Sequence, residues 1–270
     1  MIEIVAEIGV NHQGSVGHAL NLVDAAIACG VDAVKFQAWR TERVYSGEEA
    51  TRMAKLELSR ESLAYIKNYC DQKRIEFICT PDEYDDAVFL KALGVRRIKT
   101  SSQDITNLPF LRQVSMLGLP MIVSTGASTE DEVRSAMKVL FNIPSNYPKP
   151  TLLHCVSAYP APLDQMNLRA INFLRGFYCK VGLSDHTERA IAAVMAVALG
   201  ATVFEKHITM DRRQSGPDHA ASLTPAQMSV YVQMVRSAEK ALGDGIKGIM
   251  PCEQENRARF ENFIRPRKEA

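Results

Sequence analysis

The chain has 270 residues, 46% of them hydrophobic, which is enough for a sizeable core, and its 32 basic and 31 acidic residues leave a net charge of +1. That balance excludes binding to nucleic acid or a membrane surface through bulk charge, while leaving room for a local basic pocket. No apolar run is long enough to span a bilayer, and the start, MIEIVAEIGVNHQG, lacks the basic, apolar, small-residue order of a signal peptide. The expected location is therefore cytoplasmic. Six cysteines (Cys29, Cys70, Cys79, Cys155, Cys179 and Cys252) form no CxxC pair, and several lie in apolar segments, so they read as reduced structural thiols.

In chain order, short apolar runs alternate with stretches of helical period. Candidate strands cover residues 2–8, 33–37, 76–80, 97–100, 121–125, 151–155, 181–184 and 202–206. After the first, Ala19, Leu22, Val23, Ala26 and Ile27 share one helical face, with Ser15 placed to cap the helix and Gly30 to end it. Ser128 and Thr129 open another helix, followed by Asp131 and Glu132. A late one has Thr224 as cap, Pro225 in its first turn and Gln227 completing a capping box, and closes near Gly243.

Eight strands alternating with helices predict an α/β fold, a single-domain (β/α)8 TIM barrel over residues 1–250, with a charged tail or helix over 251–270. The strand count favours closure over an open doubly wound sheet. Gly9, Gly14 and Gly17 have the wrong spacing for a dinucleotide fingerprint.

Chemistry in such barrels gathers at the carboxyl ends of the strands. Glu7, Lys35, Gln37, Thr80, Lys99, Ser124, His154, Ser184, His186 and His207 all fall at or just after a predicted strand end. Repetition around the barrel is hard to explain as core packing. Lys35 (AVKFQ) and Lys99 (RRIKTSS) sit in apolar strands, where an unpaired ammonium is costly. Each alone could pair with a local acid or reach the rim; together with Ser102, Ser124 and Ser184 they predict an anion site. His186 and His207 end consecutive strands, so they could hold a metal ion or be hydrogen-bonding neighbours of the site. His154 and Cys155 could simply be a packed strand end, and His18 is expected on a solvent-facing helix surface. The turn SGPDH, after the last strand, would hang over the barrel mouth and could present Asp218 to a substrate hydroxyl; it could equally be an ordinary loop.

The ordered stretches AEIGVNHQG, DAAIACGVDAVKFQ, TPDEYDDAVFLKALGV, IKTSSQDITNLP, STGASTEDEV, LLHCVSAYPAP, VGLSDHT, ATVFEKHITMDR and SGPDHAASL cover most of the chain. Together they resemble the N-acetylneuraminate (sialic acid) synthase family. The resemblance implies a metal-dependent condensation of phosphoenolpyruvate with an open-chain aldose, such as an N-acyl hexosamine. It implies a divalent cation, expected to be Mn²⁺ with Mg²⁺ or Co²⁺ as options, on His186 and His207. Lys35 and Lys99 would clamp phosphoenolpyruvate, with Thr80, Ser102, Ser124 and Ser184 on its carboxylate or phosphate. Glu7 would be an acid/base near the reacting carbons. Gln37, Asp104, Tyr159 and Asp218 match acceptor-contacting positions, Ser157 falls among the substrate-binding residues, and Glu205 matches an active-site acid. A homodimer is also implied.

Departures from the family pattern bear on the acceptor. TPF reads Thr80-Pro81-Asp82, and SG(D/E) reads Ser102-Gln103-Asp104. The family's antifreeze-like domain, which supplies an arginine across the dimer, and its N-terminal hairpin are not found in this sequence, so that arginine contact is expected to be missing. The donor side of the expectation is thus firmer than the acceptor side. A different or smaller aldehyde acceptor, or a non-catalytic barrel that binds a partner, are the competing readings.

Overall fold

The computed structural model describes residues 2–144 and 146–264; residues 265–270 of the expected tail lie outside the described residues. The strands are β1 (Glu3–Glu7), β2 (Ala33–Ala38), β3 (Glu76–Pro81), β4 (Ile98–Thr100), β5 (Met121–Ser124), β6 (Thr151–Cys155), β7 (Lys180–Asp185) and β8 (Val203–His207). All are parallel, each hydrogen-bonds to the next, and β8 pairs with β1 to close the barrel. The helices are α1 (Val16–Ala28), α2 (Thr41–Val44), α3 (Gly47–Ala54), α4 (Arg60–Lys73), α5 (Tyr84–Ala92), α6 (Leu108–Ser115), α7 (Glu130–Phe141), α8 (Ala170–Arg175), α9 (Ile191–Ala198), α10 (Pro225–Leu242) and α11 (Gln254–Ile264). No helix among the described residues is long and apolar enough to cross a membrane.

Local sequence signals explain the helix ends. Ser15 Oγ accepts from the His18 N–H at the start of α1, and Gly30, at φ +80°, turns the chain away after its end. Capping boxes pair Thr129 with Glu132 at α7 and Thr224 with Gln227 at α10. Along α1, Ala19, Leu22, Val23 and Ala26 are buried against the barrel, whereas His18 is exposed.

Strand alternation sorts every barrel residue. Ile4, Ala6, Val34, Phe36, Phe77, Cys79, Leu152, Leu183 and Phe204 point outward and join the large cluster beneath the helices. Their neighbours point inward in layers. At the floor, Arg97 donates to Glu3 Oε2 (2.8 Å) and to both carboxylate oxygens of Glu76 (2.9 and 2.8 Å). Above it lies an apolar layer of Val5, Ala33, Ile78, Ile122, Leu153 and Val203. The next layer, towards the carboxyl ends, is polar. Gly182 belongs inside, where a Cβ would lie 2.0 Å from the Val203 carbonyl oxygen and 2.6 Å from Leu153.

Candidate active site

Two residues beyond the apolar layer, alternation brings Glu7, Lys35, Thr80, Ser124, Cys155, Ser184 and Glu205 inward, with Lys99 beside them. These form the base of a cavity of about 440 Å³. One step higher along their strands come Gln37, His186 and His207, and loops add Asp82, Ser102, Ser157, Tyr159 and Asp218. Fourteen of the fifteen residues given a catalytic, substrate or metal role from the sequence line this one cavity.

The exception in placement is Asp104. Its carboxylate accepts from the Ser101 N–H (2.8 Å) and Ser101 Oγ (2.9 Å), closing a capping box on the 3-10 turn Ser102–Thr106. Asp104 therefore shapes the loop that carries Ser102 and does not itself line the cavity. His154 departs in the same way: it faces out of the barrel, where its Nε2 meets the Met166 carbonyl at 2.6 Å. Sequence reasoning passed over Tyr45, Ser101, Ile105, Thr106, Gly126, Ala127 and, as a site residue, Cys155. Period-two alternation through Leu153 and Cys155 carried the signal for the cysteine. Tyr45 lies between α2 and α3 and carried none.

The buried charges balance one another. Lys35 Nζ lies 2.9 Å from Glu7 Oε1 and 3.8 Å from Glu205 Oε2, and donates to Thr80 Oγ1 at 3.1 Å. Lys99 Nζ donates to Ser124 Oγ (2.6 Å) and to the Thr100 carbonyl (2.9 Å), and stands 3.9 Å from Glu205. Burial opposes the charge on Lys35, but Glu205 and Glu7 outweigh it and hold the ammonium above its usual range. Burial dominates at Lys99 and lowers it. The two carboxylates separate: burial lifts Glu7 to about 7, whereas Lys35 and Lys99, acting against burial, hold Glu205 down at about 2. Two acids pushed apart in this way take different roles, one able to carry a proton and one a fixed anion.

Further hydroxyls line the same cavity. The Gly126 N–H donates to Ser102 Oγ (3.1 Å), and a Cβ at Gly126 would lie 2.3 Å from Ser157 Oγ and 2.7 Å from Ser102 Oγ. A side chain there would require both serine hydroxyls to move. The combination of two ammonium groups and several hydroxyls is chemically suited to a phosphate or carboxylate.

The imidazoles of His186 and His207 approach with ring centroids 5.6 Å apart, and Tyr159 packs on both, at 4.1 and 5.8 Å. His186 Nδ1 lies 2.8 Å from the Val156 carbonyl, which can only accept, so the proton sits there and the lone pair is on Nε2. His207 Nδ1 is buried without a hydrogen-bond partner among the described residues, 3.6 Å from Asp218 Oδ2. Gly9, at φ +53°, makes the approach possible; a Cβ there would fall 2.9 Å from Asp218 Oδ2 and 3.5 Å from His207 Cε1. The donor chemistry fits a divalent cation: two imidazoles, one with an orphaned ring nitrogen, and nearby carboxylates. Among the described residues no three His, Cys, Asp or Glu side chains are grouped to hold an ion alone. Water or substrate oxygens would have to complete its coordination, as in open catalytic sites.

Comparison with known proteins agrees with this fold. A model of the NeuB family matches residues 22–247. The chain belongs to the NeuB family. An uncharacterized protein of Methanocaldococcus jannaschii is 42% identical over 255 residues, covering 93% of this chain and 75% of that protein. The N,N'-diacetyllegionaminic acid synthase of Campylobacter jejuni is 36% identical over 270 residues, covering 94% of this chain and 81% of the relative. Among solved structures, the N-acetylneuraminic acid synthetase of Leptospira borgpetersenii, in complex with citrate, is 32% identical and superposes with a TM-score of 0.89 over 98% of this chain and 93% of that one. The chain is accordingly an enzyme of the synthase type, and the cavity at the top of its NeuB barrel is its candidate active site.

Proposed function

We propose that this chain condenses phosphoenolpyruvate with an open-chain aldose, giving a sialic-acid-like 3-deoxy-2-keto sugar acid and inorganic phosphate. The observation that carries the reading is the pair Lys35 and Lys99, both buried at the base of the cavity beside Thr80 and Ser124 and below two converging imidazoles. The names of the relatives support the product class.

In this reading the lysines, Thr80, Ser102 and Ser124 hold the donor's phosphate and carboxylate. Ser184 donates to Glu205 (2.8 Å), fixing that carboxylate as the standing counter-charge between the lysines. His186 and His207 would hold a divalent cation, for which Mn²⁺ is the first choice and Mg²⁺ or Co²⁺ alternatives. When bound, it supplies Lewis-acid polarisation of the aldehyde oxygen. Carbon 3 of phosphoenolpyruvate bonds to the aldehyde carbon, whose oxygen gains a proton and becomes a hydroxyl. Water adds at carbon 2; collapse of that tetrahedral centre breaks its bond to the phosphate oxygen and leaves the ketone. Glu7 Oε1, held by Lys35 and by Gln37 Nε2 (3.1 Å), leaves Oε2 unpartnered among the described residues and able to carry or release a proton within the cavity. Fixing two reactants beside preorganised charges supplies much of the acceleration. A different or smaller aldehyde is the second reading, favoured by Asp82 and Gln103 on the cavity wall.

Phosphate release tests the proposal. EDTA-treated protein, phosphoenolpyruvate, Mn²⁺ and an aldose panel should give phosphate only when both metal and acceptor are present. His207→Ala should lose at least about a hundredfold in rate. Protein that binds no phosphoenolpyruvate in calorimetry would refute it.

A further inference from the structure

The charges that line the cavity are unevenly distributed. Lys35 and Lys99 are both drawn to its base by Glu7 and Glu205. Phosphoenolpyruvate brings two anionic groups, which matches two ammonium groups. Among the described residues, no arginine lines the cavity. Arg40 and Arg43, on the segment after β2, are instead paired with Glu83 and Asp85 at 3.1–3.4 Å and do not reach in.

The wall at the end of β3 carries Asp82, anchored through its backbone N–H to the Ala38 carbonyl (3.0 Å) and placed between Tyr45 and the Ser101–Gln103 loop. No hydrogen bond or ion pair reaches its carboxylate among the described residues. Burial, with Asp104 and Asp86 nearby, raises its carboxyl to about 7. An acid kept in a substrate cavity without a partner is a vacant hydrogen-bond acceptor in an environment that rejects further negative charge.

We propose that Asp82 is a specificity-determining residue that accepts hydrogen bonds from hydroxyl or amino groups of the acceptor, and that the acceptor is a sugar without a phosphate or other anionic group at that end. This rests on the reading given under Proposed function and narrows it to non-phosphorylated, donor-rich aldoses. Gln103, exposed on the same rim, adds amide donors and acceptors suited to the same hydroxyl face.

The test is a paired panel: N-acetylmannosamine, mannose, arabinose and erythrose, each with and without its terminal phosphate, assayed by phosphate release from phosphoenolpyruvate. The wild type should favour the plain partner of its best pair by about tenfold or more in kcat/KM. Asp82→Asn should raise the acceptor KM by about tenfold while the phosphoenolpyruvate KM moves less than about twofold. Asp82→Lys should move the preference towards the phosphorylated partner. Equal or better use of the phosphorylated sugars by the wild type would overturn the proposal. So would an unchanged acceptor KM in Asp82→Asn, or no turnover of any plain aldose by protein that binds phosphoenolpyruvate. Loss of phosphoenolpyruvate binding in the wild type would instead count against the underlying function.

Discussion

Glu205 and Lys206 are adjacent in sequence, both buried and both charged, yet they belong to different parts of the molecule. β8 alternates, so Glu205 points into the cavity and Lys206 into the layer between barrel and helices. There Lys206 Nζ sits 3.5 Å from Asp185 Oδ1, donates to the carbonyls of Asp185 and Thr187, and lies 5.7 Å from the Tyr231 ring centroid. It ties β8 to the loop that carries His186. Removing one member of a buried ion pair leaves the other uncompensated. Lys206→Met should therefore lower stability by about 3–5 kcal/mol in urea unfolding, and Lys206→Met combined with Asp185→Leu should recover part of that loss. A single substitution that costs under about 0.5 kcal/mol would show that the pair is not a stabilising tie.

At the scale of the element, the strands were the most legible part of the sequence. Each apolar run became a strand whose ends lie within one residue of the expected positions, because a strand buried on both faces reads as an unbroken apolar stretch. Polar residues breaking such runs near their carboxyl ends gave Lys35, Lys99, Ser124 and Ser184. The same rule misplaced His154, since a run of apolar neighbours does not reveal which face a given residue takes; only counting from Leu153 does. Loops were less legible. Asp104 was expected at the acceptor only through the family resemblance, and its use by Ser101 depends on a turn geometry that the residue types do not dictate. Gly182 shows the strand constraint most sharply, since the facing Val203 carbonyl occupies the space of any side chain. Gly182→Ala should push β7 away from β8, costing about 1–3 kcal/mol or more and reducing activity through displacement of Ser184 and His186. Thermal unfolding and phosphate-release assays of the variant check both effects, and an unshifted midpoint would contradict the packing argument.

For the whole molecule, one part of the pH response follows from a group buried outside the cavity. His12 is fully buried, stacks on Phe36 at 6.1 Å, and is lowered to about 4, chiefly by burial. The unfolded chain takes up this proton near pH 6.5, and the folded chain resists it until about pH 4. Stability is thus lost as pH falls through that window, by about 3 kcal/mol from this group. His12→Asn, which keeps an acceptor for the Gly14 N–H, should flatten the dependence of the unfolding midpoint on pH between about 6.5 and 4; an unaltered slope would show that His12 does not set it.

The floor of the barrel bears on the order of events. Arg97 bridges Glu3 and Glu76 at the lower end, and the apolar layer lies between that bridge and the polar base of the cavity. Along the strands, the lysines lie one inward-facing step deeper in the cavity than the imidazoles. On the proposed function, traffic must be sequential. Phosphoenolpyruvate is then expected to enter first, the aldose to follow and cover it, and phosphate to leave last. Added phosphate should then compete with phosphoenolpyruvate and not with the aldose, a pattern that steady-state inhibition kinetics would read directly.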